Sequence, residues 1–205
     1  MRISSVGLLQ QMYSSYAGER LNADSGARDD PVKTTFSLIE ANTKEDRSEC
    51  VFAQTNLEDN TISYHITIPA KGFWKFQIFA LPQSDPSKSL AGVYNYLIHC
   101  VKVTKRAYPR PTQFKDWKDG CILKEPMVLH GDVSGPTVRF RVTIPDANKV
   151  AVVVEQQWTH LMKIDDEWSG NVVLRNHYGK NASVTLNALY GPEGGSYSTL
   201  LEYTI

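Results

Sequence analysis

The chain carries no excess of either charge: 22 basic and 22 acidic residues leave a net charge of zero. A balanced surface has no global field to draw in nucleic acid or an anionic membrane. Cysteine is scarce, at three residues, and the odd number does not suit a disulfide framework. A reducing compartment fits better, so a cytoplasmic protein is expected and the sequon Asn181-Ala182-Ser183 is read as chance. No apolar run approaches the roughly 20 residues of a membrane span, and the start, from Met1 to Leu9, is too short and polar for a signal peptide. Long amphipathic helical periods are missing as well. So are C-x-x-C and H-x₃-H pairs, which removes the usual spacing signals for a metal centre.

What is present is alternation. The string Ile62-Ser63-Tyr64-His65-Ile66-Thr67-Ile68-Pro69 returns as Val138-Arg139-Phe140-Arg141-Val142-Thr143-Ile144-Pro145. Both place large apolar residues at every second position and stop at a proline, the period of a strand with one buried face. A strand written twice predicts two related β modules in tandem. Strands are expected at 34–39, 50–53, 62–68, 73–81 and 93–103. In the second copy they fall at 121–123, 127–129, 138–144, 150–154, 168–174, 183–189 and 197–205. Within 73–81, Trp74, Phe76, Ile78 and Ala80 share one face, and Phe73, Lys75, Gln77 and Phe79 the other. Short strands without intervening helices predict an all-β fold of sandwiches. The expected organisation is a poorly ordered leader or short helix over 1–30, with Val6, Leu8, Leu9, Met12 and Tyr13 as a weak apolar patch. A first β-sandwich follows over 31–104, a basic proline-bearing linker over 105–111, and a second sandwich over 112–205. Glu58-Asp59-Asn60 is read as a turn. The second copy is longer by about 30 residues around 150–180, so seven to nine strands are expected there.

Each candidate for chemistry has a plainer competing account. A thiol nucleophile needs a base and a group to orient it. Cys50, Cys100 and Cys121 are available, with His65, His99, His130, His160 and His177. Cys50 and Cys100 sit among apolar strand residues, where cysteine is a small hydrophobe. Cys121 follows the turn pair Asp119-Gly120 and heads a strand, not a helix N-terminus that would lower its pKa. His99 and Cys100 are neighbours on a strand and point to opposite faces, so they cannot share an ion. The acids Asp165-Asp166-Glu167 and Asp29-Asp30 could flank a glycosidic bond or hold calcium, but the first group precedes Trp168-Ser169-Gly170 and reads as a solvated hairpin turn. The stretch from Lys102 to Arg110 interleaves basic residues with Tyr108 as nucleic-acid surfaces do, and linkers share that composition. Gly191, Gly194 and Gly195 form a hairpin loop, since no helix follows to complete a phosphate cradle. Trp158 and Trp168 could stack on sugars or anchor a peptide, or fill the space between two sheets. The residues leave that choice open. No catalytic, cofactor-binding or metal-ligating residue is assigned, and no cofactor is expected.

A family resemblance rests on scattered positions. Gly120, Leu123, Pro126 and Leu129, the strand 138–145, Trp158-Thr159-His160-Leu161, Trp168 to Val172 and Tyr197 to Tyr203 resemble the C-terminal modules of the kyphoscoliosis-peptidase and hillarin group. Tyr64 to Pro69, Gly72, Trp74 to Ala80 and Tyr96 to Cys100 are similar to the preceding repeat. The resemblance implies an immunoglobulin-like fold for each module. It further implies a setting beside a transglutaminase-like domain with a Cys-His-Asp triad, and an association with the cytoskeleton. No cysteine here lies in the helix-starting Gly-x-Cys setting that the triad needs, so the triad is carried over to no residue. The expectation is a non-catalytic region that binds a protein partner, cytoskeletal by resemblance, through a sheet edge or face, with no nucleic acid and no membrane insertion. The alternatives are a thiol hydrolase fragment using Cys121 with His130 or His160, and a carbohydrate-binding module using Trp158 or Trp168.

Overall fold

The computed structural model describes residues 11–15, 32–57, 61–82, 85–87, 89–117, 120–192 and 194–205. Most of the leader, the turn at Glu58-Asp59-Asn60 and the acids Asp29 and Asp30 lie outside the described residues. Strands account for nearly all regular structure, relieved by one 3-10 turn at Ser48–Cys50. In chain order the strands are β1 (Gln11–Ser15), β2 (Val32–Glu40), β3 (Val51–Asn56), β4 (Thr61–Ile66), β5 (Gly72–Pro82), β6 (Ala91–Cys100), β7 (Thr112–Gln113) and β8 (Ile122–Glu125). They continue as β9 (Thr137–Thr143), β10 (Lys149–Val154), β11 (Gln157–His160), β12 (Met162–Ile164), β13 (Glu167–Val173), β14 (Ser183–Leu189) and β15 (Ser198–Thr204). The all-β expectation holds. In the leader, β1 is a strand paired along β4, not the short helix considered from sequence. The strand expected at 127–129 is absent, and Met127 to Leu129 run as irregular chain behind β8.

By packing, the described residues separate into two compact units. The first comprises residues 32–51 and 66–107 and is built on the antiparallel sheet β2-β5-β6. Alternation on β5 buries Trp74, Phe76, Ile78 and Ala80, joined by Leu38 of β2 and Ile98 of β6. Trp74 is 1% exposed, and its indole N–H donates to the carbonyl of Ala70 at 3.0 Å. Its ring is thus hidden without leaving a polar atom unpaired.

The second unit comprises residues 11–15, 52–65 and 108–205. Two antiparallel sheets, ordered β12-β13-β9-β8 and β11-β10-β14-β15-β7, enclose its core. The first has the D-E-B-A order of an immunoglobulin sandwich, and the second adds a C′ strand, β11, to C-F-G. The nine strands β7 to β15 meet the upper end of the expected number. The sheets face one another because β9 hides Val138, Phe140 and Val142 while Arg139 points out. Opposite stand Val150 and Val152 of β10, Val184 and Leu186 of β14, and Leu200 and Leu201 of β15. Two consecutive leucines can both be buried because β15 bulges: Leu186 pairs with Leu201 and Asn187 with Thr199, leaving Leu200 as the extra residue. Tyr203 stands edge-on to Phe140, and its hydroxyl donates to the carbonyl of Pro126 at 2.7 Å. Burial pushes that phenol well above the usual tyrosine range.

The β3–β4 pair, expected within the first module, stands with this second unit. Phe52 is fully buried in the sandwich core, its ring 5.8 Å from that of Trp117. Three hydrogen bonds fix the pair's backbone or side chains: Gln113 Nε2 to Ala53 O at 2.7 Å, Gly120 N to Thr55 O at 3.1 Å, and Leu123 N to Gln54 Oε1. The expected linker is also partly seated on this unit. Tyr108 stacks on His130 and donates to Asp132, while Arg110, 9% exposed, donates to the carbonyl of Met127.

Candidate interaction surfaces

The first unit ends in an unusual strand. Among the described residues β6 pairs only with β5, so it is the outermost strand of its sheet. Its ten residues, from Ala91 to Cys100, include no charged residue and no proline. Sheet edges are commonly blunted by such residues, because a row of unpaired N–H and C=O groups is a template for another strand. Here the single irregularity is at Val93, where the register shifts between Ile78 and Phe79. Beyond it, Tyr94 to Cys100 pair regularly with β5.

Large apolar side chains stay in solvent along this strand: Leu97 is 70% exposed, Tyr94 55% and Val93 42%. Pairing across β5 puts Leu97 beside Lys75 and Asn95 beside Gln77 on the outer face, where Gln77 Nε2 donates to Asn95 Oδ1 at 2.8 Å. Phe73 and His99 stack on the same face with centroids 4.2 Å apart. A shallow groove of about 380 Å³ runs over this face, lined by Ile39, Ala41, Lys75 and Leu97 among others. The partition of β5 read from sequence is therefore correct. Its polar face is an apolar and basic outer surface.

The second unit carries a smaller aromatic surface. Trp158 is 50% exposed on β11, an outermost strand. His160, two residues on and so on the same face, lies with its ring 6.3 Å away, and Tyr197 meets the indole edge-on at 5.0 Å. Trp168 has the opposite fate. At 6% exposure it belongs to the core, with Lys163 Nζ 5.6 Å from its ring centre. The choice left open by the sequence is thus settled one way for each tryptophan, and Trp168 is removed from any sugar platform.

The residues considered for a thiol site occupy separate places. None of the three cysteines is in a disulfide and all are buried, with Cys50 0%, Cys121 2% and Cys100 6% exposed. Cys121 lies in the sandwich core. His130 is engaged by Tyr108 and Asp132, and His160 by Trp158 and Tyr197. His99 is stacked on Phe73, and His177 faces Glu155 at 3.6 Å. Among the described residues, no group of three or more His, Cys, Asp or Glu is placed to hold a metal ion. No helix there is long and apolar enough to cross a membrane.

The acid cluster resolves into a turn and an ion pair. Asp165 and Asp166 form the two-residue turn between β12 and β13, with Asp165 at φ +54°. A left-handed residue in that position suits the twist of a tight hairpin. Glu167 points instead to the outer face, where Arg141 grips it through Nε and Nη2 at 2.7 and 2.9 Å and Lys124 Nζ lies at 2.7 Å. Those bonds, Arg141 first, pull its carboxyl down to about 2. Because the folded pKa lies below the unfolded one, the network stabilises the fold fully above about pH 4.5 and is lost as pH falls through about 2. Glu167→Gln should therefore lower the urea midpoint at pH 6, and wild type and variant should converge near pH 2. A midpoint difference unchanged across that range would contradict the assignment.

An all-β chain built on immunoglobulin strand order, with an uncharged outer strand, is an immunoglobulin-like module protein. Residues 20–111 match the family model described as the KY-like, immunoglobulin-like domain. The match agrees with the residue resemblance of this segment to the immunoglobulin-like modules of the kyphoscoliosis-peptidase group. No curated protein matches the chain. Sequence reasoning did not single out β6 as the exposed edge. The available signal was ten residues without charge or proline, which sequence alone does not distinguish from a buried strand.

Proposed function

We propose that this chain is a non-catalytic display module that captures an extended segment of a partner protein along β6. The observation that carries this reading is the combination of an outermost position, ten uncharged residues and Leu97 at 70% exposure. A strand laid beside β6 satisfies its outward backbone groups, while Leu97 and the Phe73–His99 stack offer apolar contact to alternate side chains. Main-chain bonds supply affinity by this route and the outer face supplies selectivity. The likeness to kyphoscoliosis-peptidase modules directs the search for the partner to cytoskeletal proteins.

Photo-crosslinking tests the surface. A benzoylphenylalanine placed at Leu97 should yield adducts concentrated on one protein and mapping to one extended segment of it. The same probe at Val173, an exposed position of the second unit, should not. Equal adducts at both positions would overturn the assignment.

A second reading has its own observation, the exposed Trp158 with His160 and Tyr197. Such a platform can stack on a sugar ring. If it does, oligosaccharides quench tryptophan fluorescence in the native chain and fail to do so after Trp158→Phe. Absence of quenching removes this reading.

A further inference from the structure

The seam between β3 and β8 is closed by a side chain whose hydrogen-bond polarity is fixed on both sides. Leu123 N–H donates to Gln54 Oε1. That bond settles which end of the Gln54 amide faces the other way: its NH₂ group, Nε2, lies 3.2 Å from His65 Nε2. An amide NH₂ only donates, so His65 Nε2 must accept with its lone pair. The ring proton of the neutral imidazole then sits on Nδ1, which is buried and has no hydrogen-bond partner among the described residues. Gln54 is 7% exposed and Leu123 1%, so water does not stand in for either bond.

Adding a proton to this ring places N–H on Nε2, facing the N–H groups of Gln54. If the amide turns over to present its oxygen to His65, its NH₂ then faces Leu123 N–H. One of the two bonds fails whichever way Gln54 points. Among the described residues, the charge that acts on the ring is a like one. From the 108–111 segment comes the guanidinium of Arg110, a like charge, and β1 sets Gln11 opposite His65 in register. The groups named on β3 and β8 are neutral. Burial first, and then Arg110, hold the imidazole below the ordinary histidine range.

We propose that His65 is a proton-operated latch: protonation at Nε2 breaks the Gln54 bridge and opens the β3–β8 seam under mild acid. The bonds from Gln113 to Ala53 and from Gly120 to Thr55 also hold the pair and involve no titratable group, so protonation of His65 leaves them in place.

The sign follows from linkage. The closed form disfavours the proton, so its advantage is complete above the ordinary histidine pKa of about 6.5 and declines as pH falls below it. An open form titrating at about 6.5 gains up to about tenfold on the closed form between pH 7.5 and 5.5. Amide exchange on the intact chain reads this directly. Corrected for the intrinsic rate, protection of the Leu123 amide should fall severalfold, up to about tenfold, over that interval, while the Val152 amide in the sandwich core stays constant. His65→Gln puts a carbonyl oxygen where Nε2 stood, keeps the acceptor and cannot titrate, so Leu123 protection in the variant should not vary with pH. The wild-type His65 ring resonances supply a second readout that needs no variant: in the closed form they should show a midpoint below 6.5. Constant Leu123 protection, or an ordinary His65 midpoint with that protection intact, would overturn the latch.

Discussion

Phe52→Ala should destabilise the second sandwich by about 3–5 kcal/mol, although residue 52 lies sixty positions before that sandwich's first strand in the chain. The ring is fully buried in the same core as Phe140, Val142 and Leu123 and packs on Trp117. Truncation removes its apolar contacts and leaves a hole beneath β8, which the neighbouring bonds at Ala53, Thr55 and Gln54 keep from collapsing. The effect is read as a lowered urea midpoint by tryptophan fluorescence, checked by faster amide exchange in β9 and β14. If exchange in those strands is unchanged while β3 alone loosens, Phe52 is not part of the second unit's core.

Leu97→Lys should behave in the opposite manner, costing little stability and much binding. Leu97 is 70% exposed, and surface substitutions away from caps, cores and networks stay within about 0.5 kcal/mol. The new ammonium, however, stands in the middle of the outer strand, beside Lys75 across β5. Charged residues on an edge oppose strand addition. Two lysines on one face also repel cationic or apolar side chains of an incoming segment. Affinity for the segment identified by crosslinking should fall at least tenfold with an unchanged melting temperature. A variant that binds as wild type places the contact elsewhere.

Much of the fold was legible because its signal is local. The strand at 183–189 is found with the bounds expected, since Val184, Leu186 and Ala188 fall at every second position and are all buried. The repeated strings became β4 and β9 for the same reason. Short strands escaped. β7 has two residues and β12 three, too few for a period to show. Met127 to Leu129 offered apolar residues without a strand because Pro126 precedes them and Arg110 and Tyr203 claim the carbonyls of Met127 and Pro126. The attachment of β3–β4 to the second unit was out of reach, because it rests on tertiary contacts at sequence separations of 60 and 69 residues. The tryptophans show the same limit. Both sit on strands with similar neighbours, and their burial is decided by sheet order: β11 is outermost, whereas β13 lies between β12 and β9. The outer position of β6 among the described residues likewise follows from which strands pair, and pairing is not written in the strand itself.

Amide exchange of β6, with and without the segment that crosslinks at position 97, tests capture by strand addition most directly. The account predicts slowed exchange at alternate residues between Tyr94 and Cys100, those whose N–H groups point away from β5, with β11 and the Trp158 surface unaffected. Protection that appears around Trp158, or binding that leaves every β6 amide exchanging as before, would contradict it.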